Sequence, residues 1–579
     1  MTILNPSHLK QLGLTALSCA LAACSPGTPP ATQLAADLVL SNAKVYTVDE
    51  QQPWAEAVAV KDGKIVFVGS NQDAKQWLGD DTQQQDLAGK MLLPGFIDSH
   101  AHPAAGGAFV RSLSLDTYAN PEDWVKAVAG YAAANPESPI LFGYGFLASA
   151  FGPEGPTAAL LDQAVADKPV FIMDEGFHGG WANTKAMQLL GINKDTPDIM
   201  PGFSYYKRDA QGSPTGYFLE DAATAAMDKL DVINADSVAL GTADVFDIMN
   251  SYGITAVFDA GALSVGDIQI DMLDKLYEQG DFTVRMVGSH AAMTPEGYDT
   301  AIAQVLEKRK NTKRPLYHIN TLKIMDDGTI EGRTAGMFED YQGEPGNKGT
   351  HVFTQAQMDH MVTEATANNV DVHIHSLGER AIADALNAIE VAKKAYPNST
   401  SRHAICHVQV IRDQEIKRFA ELGVTVQSTP LWASYDDFGE QFVSKDQFNR
   451  YFRFNSFKQA GIKMAFGSDY PATGAGTLGM SPLFNMEIGH TRQSAGEPNA
   501  KVQPNIKERL DLATLIRGYT IEGAYQMHME DSIGSITVGK FADFVVLEDN
   551  IFEVATHEIH KIKVAQTYLG GKVVYPAAK

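Results

Sequence analysis

From about residue 92 onward, the sequence repeats a unit in which a short apolar segment precedes a stretch with helical patterning. Eight such segments are predicted as strands: 92–102, 253–261, 283–290, 318–326, 369–375, 403–409, 424–429 and 462–469. The segments between most of them carry apolar residues at helical spacing. Alternation of strands and helices implies a parallel sheet, and eight units predict an α/β fold that closes into a (β/α)₈ TIM-type barrel over about 92–530.

Three segments do not fit the repeat. About 150 residues separate the first two predicted strands, and a connection of that length must carry its own structure, so we predict a large insertion at about 103–250. Residues 37–91 and 531–579 alternate and turn like antiparallel strands. Neither piece could bury a core alone, and we therefore predict one small β-sandwich formed from both chain ends.

The N-terminus has the pattern of a lipoprotein signal peptide at 1–23, followed by a small, Pro-rich tether at 24–36. Its apolar run is too short to span a bilayer. The run ends in Leu21-Ala22-Ala23-Cys24, which resembles a bacterial lipobox and predicts lipidation of Cys24. By resemblance to the sorting rules of diderm bacteria, Ser25 rather than Asp after the cysteine favours the outer membrane, with the protein facing the periplasm. The alternative is ordinary secretion without an anchor.

Charge and cysteine content narrow the classes of partner. The formal net charge of −24 argues against nucleic acid, whose phosphates require a basic surface. Of the three cysteines, Cys19 leaves with the signal peptide and Cys24 would carry lipid. Cys406 then has no partner, so we expect no intramolecular disulfide. A small-molecule substrate is the expected partner besides the membrane, and a homo-oligomer is left open.

Metal-binding residue types cluster at the predicted carboxyl ends of the strands, where barrel enzymes place their sites. His100 and His102 end the first strand, and residues two apart on a strand face the same side, so both imidazoles can contact one ion. Four further strands offer Lys323, His375, His407 and Asp469. Each alone has a structural explanation, such as a core histidine or a helix-capping aspartate. Five ligand-bearing strands at one end of one barrel predict a metal site.

These motifs resemble the amidohydrolase superfamily, closest to the subgroup that includes N-substituted formamide deformylases and related exported hydrolases. The resemblance covers nearly the whole mature chain and is carried by segments 36–49, 93–102, 323–335, 375–381, 467–469 and 534–543. It implies metal-dependent hydrolysis in which metal-activated water attacks a carbonyl-like carbon. It is specific for the family and says little about the substrate.

The resemblance also implies roles for individual residues. His100, His102 and Asp469 would hold one divalent ion, and His375 and His407 a second. Lys323 would be carbamylated and would bridge the two ions, because a carbamate is an anion with two oxygens, whereas an ammonium would be repelled. Zinc is the first expectation for such ligands, and a single-ion site is the alternative. Asp469 would also act as the general acid–base group.

Two positions depart from the family pattern. Cys406 stands where Glu often precedes the strand-six histidine, and strand alternation from His407 predicts that its side chain points out of the barrel in a packing role. Glu379 stands where the family usually has Asp, and its extra methylene is expected to shift hydrogen bonds near His375.

Substrate contacts are expected from the insertion and from strand three. Segment 174–183 resembles a pocket-lining segment, in which His178 is predicted as a catalytic electrophile, with a structural role in the cap as the alternative. Trp181 and His290 are predicted to contact substrate. His373 is expected to be a buried polar residue one layer below His375, and the role of Glu220 is not assigned.

The predicted function is hydrolysis of a non-peptide C–N bond in an amide or N-acyl amine. An esterase, lactonase or deaminase on the same site is the alternative, because the same chemistry attacks many carbonyl-like centres. A surface lipoprotein that binds a ligand without catalysis is a third reading. The complete ligand set argues against this third reading, since a protein that has lost its activity usually lacks some of the metal ligands.

Overall fold

The computed structural model describes residues 35–576, apart from 116–119, 234, 262–267, 313 and 438. The signal peptide, Cys24 and nearly all of the tether lie outside the described residues, so lipidation and outer-membrane location stay predictions. Within the described ranges, no helix combines the length and the apolar character needed to cross a membrane.

Eight parallel strands form the central sheet and pair in chain order. They are Phe96–Ala101, Ile254–Asp259, Arg285–Ala292, Tyr317–Met325, Asp371–Ser376, His403–His407, Thr425–Ser428 and Met464–Phe466. The first and last strands meet near their carboxyl ends, where the amide of Asp469, just past the last strand, donates to the carbonyl of His100 in the first strand at 2.7 Å. The predicted (β/α)₈ barrel is therefore confirmed.

The predicted first strand, 92–102, is divided at Gly95. Met91–Pro94 belongs to the terminal β-sandwich and Phe96–Ala101 to the barrel. A Cβ at Gly95 would lie 2.2 Å from the Thr255 Oγ1, so only glycine allows this close approach where the chain passes from one sheet to the other.

Helices follow the barrel strands and cover the outside of the sheet. The α-helices after the second strand are Ile268–Gln279, Ala301–Asn311, Gln355–Ala367, Glu379–Ala395, Asp413–Leu422, Lys445–Phe448, Phe454–Gln459, Pro482–Thr491, Leu512–Gly518 and Ile521–Gln526. Short 3₁₀ helices lie at Pro430–Ala433, Gly439–Gln441, Gly476–Met480, Ile506–Glu508 and Thr556–Lys561. The buried helix faces join the barrel in one apolar core.

Both chain ends build the β-sandwich. One sheet contains, in order, Lys64–Gly69, Ala57–Lys61, Leu38–Ser41 and Gln83–Asp86. The other contains Lys572–Tyr575, Val564–Leu569, Phe544–Leu547, Met91–Pro94, Lys44–Tyr46 and Trp54–Ala55. Leu40, Val58, Phe544 and Val546 belong to the apolar core shared by the two sheets and are fully buried. Helix Asn71–Ala74 and the 3₁₀ helix Lys75–Trp77 complete this region.

The insertion after the first barrel strand contains its own six-stranded mixed sheet, here called the cap sheet. In order, its strands are Tyr206–Arg208, Pro214–Leu219, Gly179–Ala182, Val170–Asp174, Leu141–Phe146 and Leu113–Ser114. The helices of the insertion are Pro103–Phe109, Pro121–Ala134, Ala158–Asp162, Thr184–Leu190, Asp221–Leu230 and Ala235–Ser251, with a 3₁₀ helix at Ala148–Phe151. The cap sheet brings a short loop at His178 to the carboxyl end of the barrel.

Candidate metal centre

Three predicted ligands converge where the first and eighth barrel strands end. The His102 Nε2 lies 3.1 Å from the Asp469 Oδ1, and the His100 Nε2 lies 3.2 Å from the same oxygen. One ligand atom from each of the three side chains lies within 4.8 Å of the others, and all three are buried. Two imidazoles and a carboxylate at this spacing are a suitable donor set for a divalent transition-metal ion.

Hydrogen bonds orient the two imidazoles of this group. The His102 Nδ1 donates to the Gly261 carbonyl at 2.7 Å, which leaves its Nε2 facing Asp469. The His100 Nδ1 lies 2.9 Å from the Gln427 Oε1. Partners of this kind fix the ring orientation of metal-binding histidines.

His375 and His407 lie beside this group, as predicted ligands of a second ion. Their ring centroids are 4.5 Å apart, and the His407 ring lies 4.9 Å from that of His100. Within the described part of the chain, the buried Nδ1 of His375 makes no hydrogen bond, although the Asp327 Oδ1 is 3.3 Å away. A buried donor or acceptor without a partner is costly, and a bound ion would satisfy this nitrogen.

Burial lowers the pKa of His100, His375 and His407 well below the ordinary histidine value. The three imidazoles are therefore neutral, and only a neutral imidazole has the lone pair that a metal ion requires. The residues present thus fit one or two divalent ions.

Lys323 lies within the barrel and is buried, with 4% of its surface exposed. Its Nζ is 3.3 Å from the His100 Nε2 and 3.4 Å from the Cys406 Sγ. The structure therefore brings all six predicted ligand residues to one region at the carboxyl end of the barrel.

Cys406 corrects the sequence prediction, because its side chain points into the barrel rather than out of it. The pairing of strand five with strand six sets Cys406 beside His375, on the inward-facing side. His407 has a φ of +72°, so the chain leaves the strand conformation there. This turn directs the His407 side chain inward as well, and alternation counted back from His407 gave the wrong side for Cys406.

The cap contributes His178, whose ring centroid lies 5.4 Å from that of His375. The His178 Nδ1 is 2.6 Å from the Glu220 Oε2, and the Thr334 hydroxyl donates to the Glu220 Oε1 at 2.8 Å. Burial alone would lower the pKa of His178, but the Glu220 carboxylate outweighs burial and the pKa rises to about 9. His178 is therefore cationic at neutral pH, and Glu220, unassigned from the sequence, holds it in place.

Trp181 and His290 do not lie where substrate contact was predicted. Trp181 is fully buried in the core beside the cap sheet, and its Nε1 donates to the Thr157 carbonyl at 2.8 Å. Ala291 lines a cavity next to the ligand cluster. His290 precedes Ala291 in the same strand, so its side chain faces the other side of the strand.

Glu379 also departs from its expected role beside His375. Its carboxylate accepts a hydrogen bond from Arg450 at 2.7 Å. Asp327 takes the position near His375, held by backbone amides of Leu377 and Gly378 at 3.0 and 2.9 Å. The Glu379 carboxylate therefore pairs with Arg450 rather than with His375.

Two residues below the ligands complete the site. His373 is buried, as predicted, and its Nε2 lies 2.9 Å from the His100 Nδ1. Asp98, which the sequence did not single out, accepts hydrogen bonds from the Ser468 hydroxyl at 2.6 Å and the Ser468 amide at 3.0 Å. Burial raises the pKa of Asp98 to about 6. Asp98 thereby ties strand eight to strand one beside the ligands.

Two cavities meet at the ligand cluster. The inner one, of about 160 Å³, is lined by His100, His102 and Lys323 together with Phe177 and Met293. The outer one, of about 380 Å³, opens outward past Trp432 and Tyr435. His178, His375, His407 and Asp469 border both cavities. A small molecule in the outer cavity would therefore contact the ligand cluster and His178 together.

Comparison with known proteins shows which family this chain is similar to. A model of the amidohydrolase family matches residues 83–575. The exoenzymes regulatory protein AepA of Pectobacterium carotovorum is 33% identical over 69% of this chain and 86% of its own length. The N-substituted formamide deformylase of Arthrobacter pascens is 27% identical over 93% of this chain and 98% of its own length.

The fold also has a close solved counterpart. A metal-dependent hydrolase from Pyrococcus horikoshii superposes with a TM-score of 0.70 at 22% identity, over 90% of this chain and 99% of the other. This similarity supports the barrel fold with its cap and sandwich.

Proposed function

Because this chain belongs to the amidohydrolase family, we propose that it hydrolyses a non-peptide C–N bond, in an amide or N-acyl amine. The observation that carries the proposal is the convergence of His100, His102 and Asp469 within 4.8 Å at the floor of a cavity. The A. pascens relative, a deformylase of N-substituted formamides, supports the choice of a C–N bond.

In this proposal His100, His102 and Asp469 would hold one ion, His375 and His407 would hold a second, and Lys323, once carbamylated, would serve both. Bound ions of this kind lower the pKa of a water molecule and polarise a carbonyl oxygen. The remaining steps belong to side chains of this chain.

Asp469 is proposed to move the proton. Burial alone would raise its pKa, but the side chains of His102 and His407 beside it outweigh burial, and the pKa of Asp469 is lowered. Asp469 is therefore a carboxylate that can accept a proton from the attacking water. It borders both cavities, from which it can deliver that proton to the departing nitrogen.

His178 is proposed to stabilise negative charge on the carbonyl oxygen. A protonated imidazole held by Glu220 is a preorganised donor, and such donors act strongly in a site that excludes water. Because His178 reaches the barrel from the cap, the insertion also supplies part of the reaction site.

Metal reconstitution tests the proposal. Protein stripped with a chelator should lack activity, and Zn²⁺ with bicarbonate should restore hydrolysis of simple formamides or N-acyl amines. If Lys323 is carbamylated, restoration without bicarbonate should be slower, and Lys323→Met should not respond to bicarbonate. Turnover of lactones or of amino-substituted rings, with none of amides, would instead favour the esterase or deaminase reading. Absence of any metal uptake would overturn the proposal.

The wall of the outer cavity predicts which substrates are excluded. Glu175, Glu331, Asp436 and Asp437 border it, and among the described lining residues there is no lysine or arginine. The imidazolium of His178 lies at the inner end of this wall, beside the ligand cluster. Burial, and next the charge of Asp436, raise the pKa of Glu331 to about 7. Glu331 therefore gains its negative charge as the pH rises through about 7, and it should then repel an anionic substrate.

We expect N-acyl amino acids to have lower kcat/KM than uncharged N-acyl amines of equal size, by a ratio that grows between about pH 6 and pH 8. Glu331→Gln should reduce that ratio about tenfold at the higher pH and remove its pH dependence. Measurement of kcat/KM for a matched substrate pair at both pH values tests this. A ratio unchanged by Glu331→Gln would contradict it.

A further inference from the structure

Beneath the proposed metal centre, the barrel interior contains a second group of metal-binding side chains. One ring nitrogen of His100, one of His373 and the Cys406 Sγ all lie within 4.8 Å of one another. His100, His373 and Cys406 are each at most 1% exposed. We call these three residues the inner triad.

The inner triad shares His100 with the outer group. The His100 Nε2 faces Asp469 at 3.2 Å, whereas its Nδ1 faces the His373 Nε2 at 2.9 Å. The two nitrogens of this ring therefore point toward different ligand groups. Occupation of one group must influence the other through this shared imidazole.

Cys406 differs from a cysteine that only fills space. Its Sγ has polar neighbours, with the Lys323 Nζ at 3.4 Å and the Ile374 carbonyl at 3.3 Å. It is also the sole cysteine among the described residues and makes no disulfide there. Thiolate and imidazole together are ligands that zinc, cobalt and other thiophilic ions prefer.

We infer that Cys406 and His373, together with His100, bind a thiophilic divalent ion inside the barrel. On binding, the S–H bond breaks, the sulfur forms a bond to the ion, and the thiol proton leaves to solvent. If the outer group also holds an ion, His100 loses its remaining ring proton to solvent as well, because an imidazole can bind two ions only as an imidazolate. The inference rests on the proposed function, because His100 also belongs to the metal centre. It places a second site with a sulfur ligand, and therefore with a preference for thiophilic metals, next to that centre.

Cobalt substitution of the full-length protein provides a test that does not depend on activity. A cobalt–thiolate bond gives a charge-transfer band in the near ultraviolet, which histidine and carboxylate ligands do not give. We expect this band in the wild type and its loss in Cys406→Ser. Cys19 and Cys24 are unchanged in that variant, so they cannot account for the difference.

Two further variants keep the test independent of folding. His373→Gln retains the thiol but removes one ligand, and it should weaken cobalt binding to the inner triad and reduce the band. His403→Asn is the control variant. His403 is a buried histidine in the strand of Cys406, but it lies outside the triad, with its Nε2 3.1 Å from the Thr366 hydroxyl, so this variant should keep the band.

The outcomes separate the inner triad from the metal centre. Cobalt bound by the wild type without a charge-transfer band, or a band that persists in Cys406→Ser, would overturn the inner triad and leave the proposed function intact. Failure of the wild type to bind any cobalt would overturn both.

Discussion

Replacement of Asp469 by Asn is expected to lower kcat by about 10²–10⁴-fold while the protein keeps its divalent metal. The amide preserves the shape of the side chain and one ligand oxygen, but it cannot accept the proton of the attacking water. Asp469 lies 3.1 Å from His102 and 3.2 Å from His100, so a neutral replacement still faces the other two ligands. Metal content and kcat measured on the same preparations test the two parts of the expectation.

Asp437→Asn is the matched control for this change. Asp437 also borders the outer cavity, but it pairs with Lys501 away from the ligand cluster. Its neutralisation should leave kcat within about twofold of the wild type, since surface pairs of this kind contribute little. Near-normal kcat in Asp469→Asn would show that another group moves the proton.

Replacement of His178 by Asn is expected to lower kcat by about 10²–10³-fold, with KM for a small amide changed much less. The imidazolium is positioned by Glu220 at 2.6 Å and acts on charge that develops only in the transition state. Metal content should remain that of the wild type, because His178 is not among the proposed ligands. Steady-state kinetics with the best substrate of the reconstitution assay provide the measurement.

Glu220→Gln tests the contact between Glu220 and His178 by changing the carboxylate instead of the imidazole. Glu220 raises the pKa of His178 to about 9, so the imidazole of the wild type stays protonated up to that pH. Without the carboxylate the pKa falls, and the decline of kcat at high pH should begin at a lower pH. An unchanged pH profile, or full activity of His178→Asn, would assign His178 a structural role in the cap.

Local pattern was sufficient to predict the barrel and the rim at which the candidate ligands meet. Strand–helix alternation indicated eight parallel strands, and the two-residue period of a strand set His100 and His102 on one side. The structure brings these together with Lys323, His375 and Asp469, because parallel strands present their carboxyl ends at one rim.

Predictions that relied on side-chain direction past a strand end, or on contacts across the chain, succeeded less often. Cys406 was placed on the wrong side because His407 has a φ of +72°, which strand alternation does not anticipate. Trp181 belongs to a motif-like segment, yet it is buried in the core of the cap. Residue spacing does not reveal which side chains a fold will bury.

Strand and helix periods repeat among neighbouring residues, so the order of amino acids was enough to predict the fold class and the metal-binding residue types at the strand ends. The contact of Glu220 with His178 across 42 positions, and the place of Asp327 rather than Glu379 beside His375, become visible only in the folded chain. The same is true of the group formed by Cys406, His373 and His100. These contacts depend on how separate segments pack, and no local period encodes that packing.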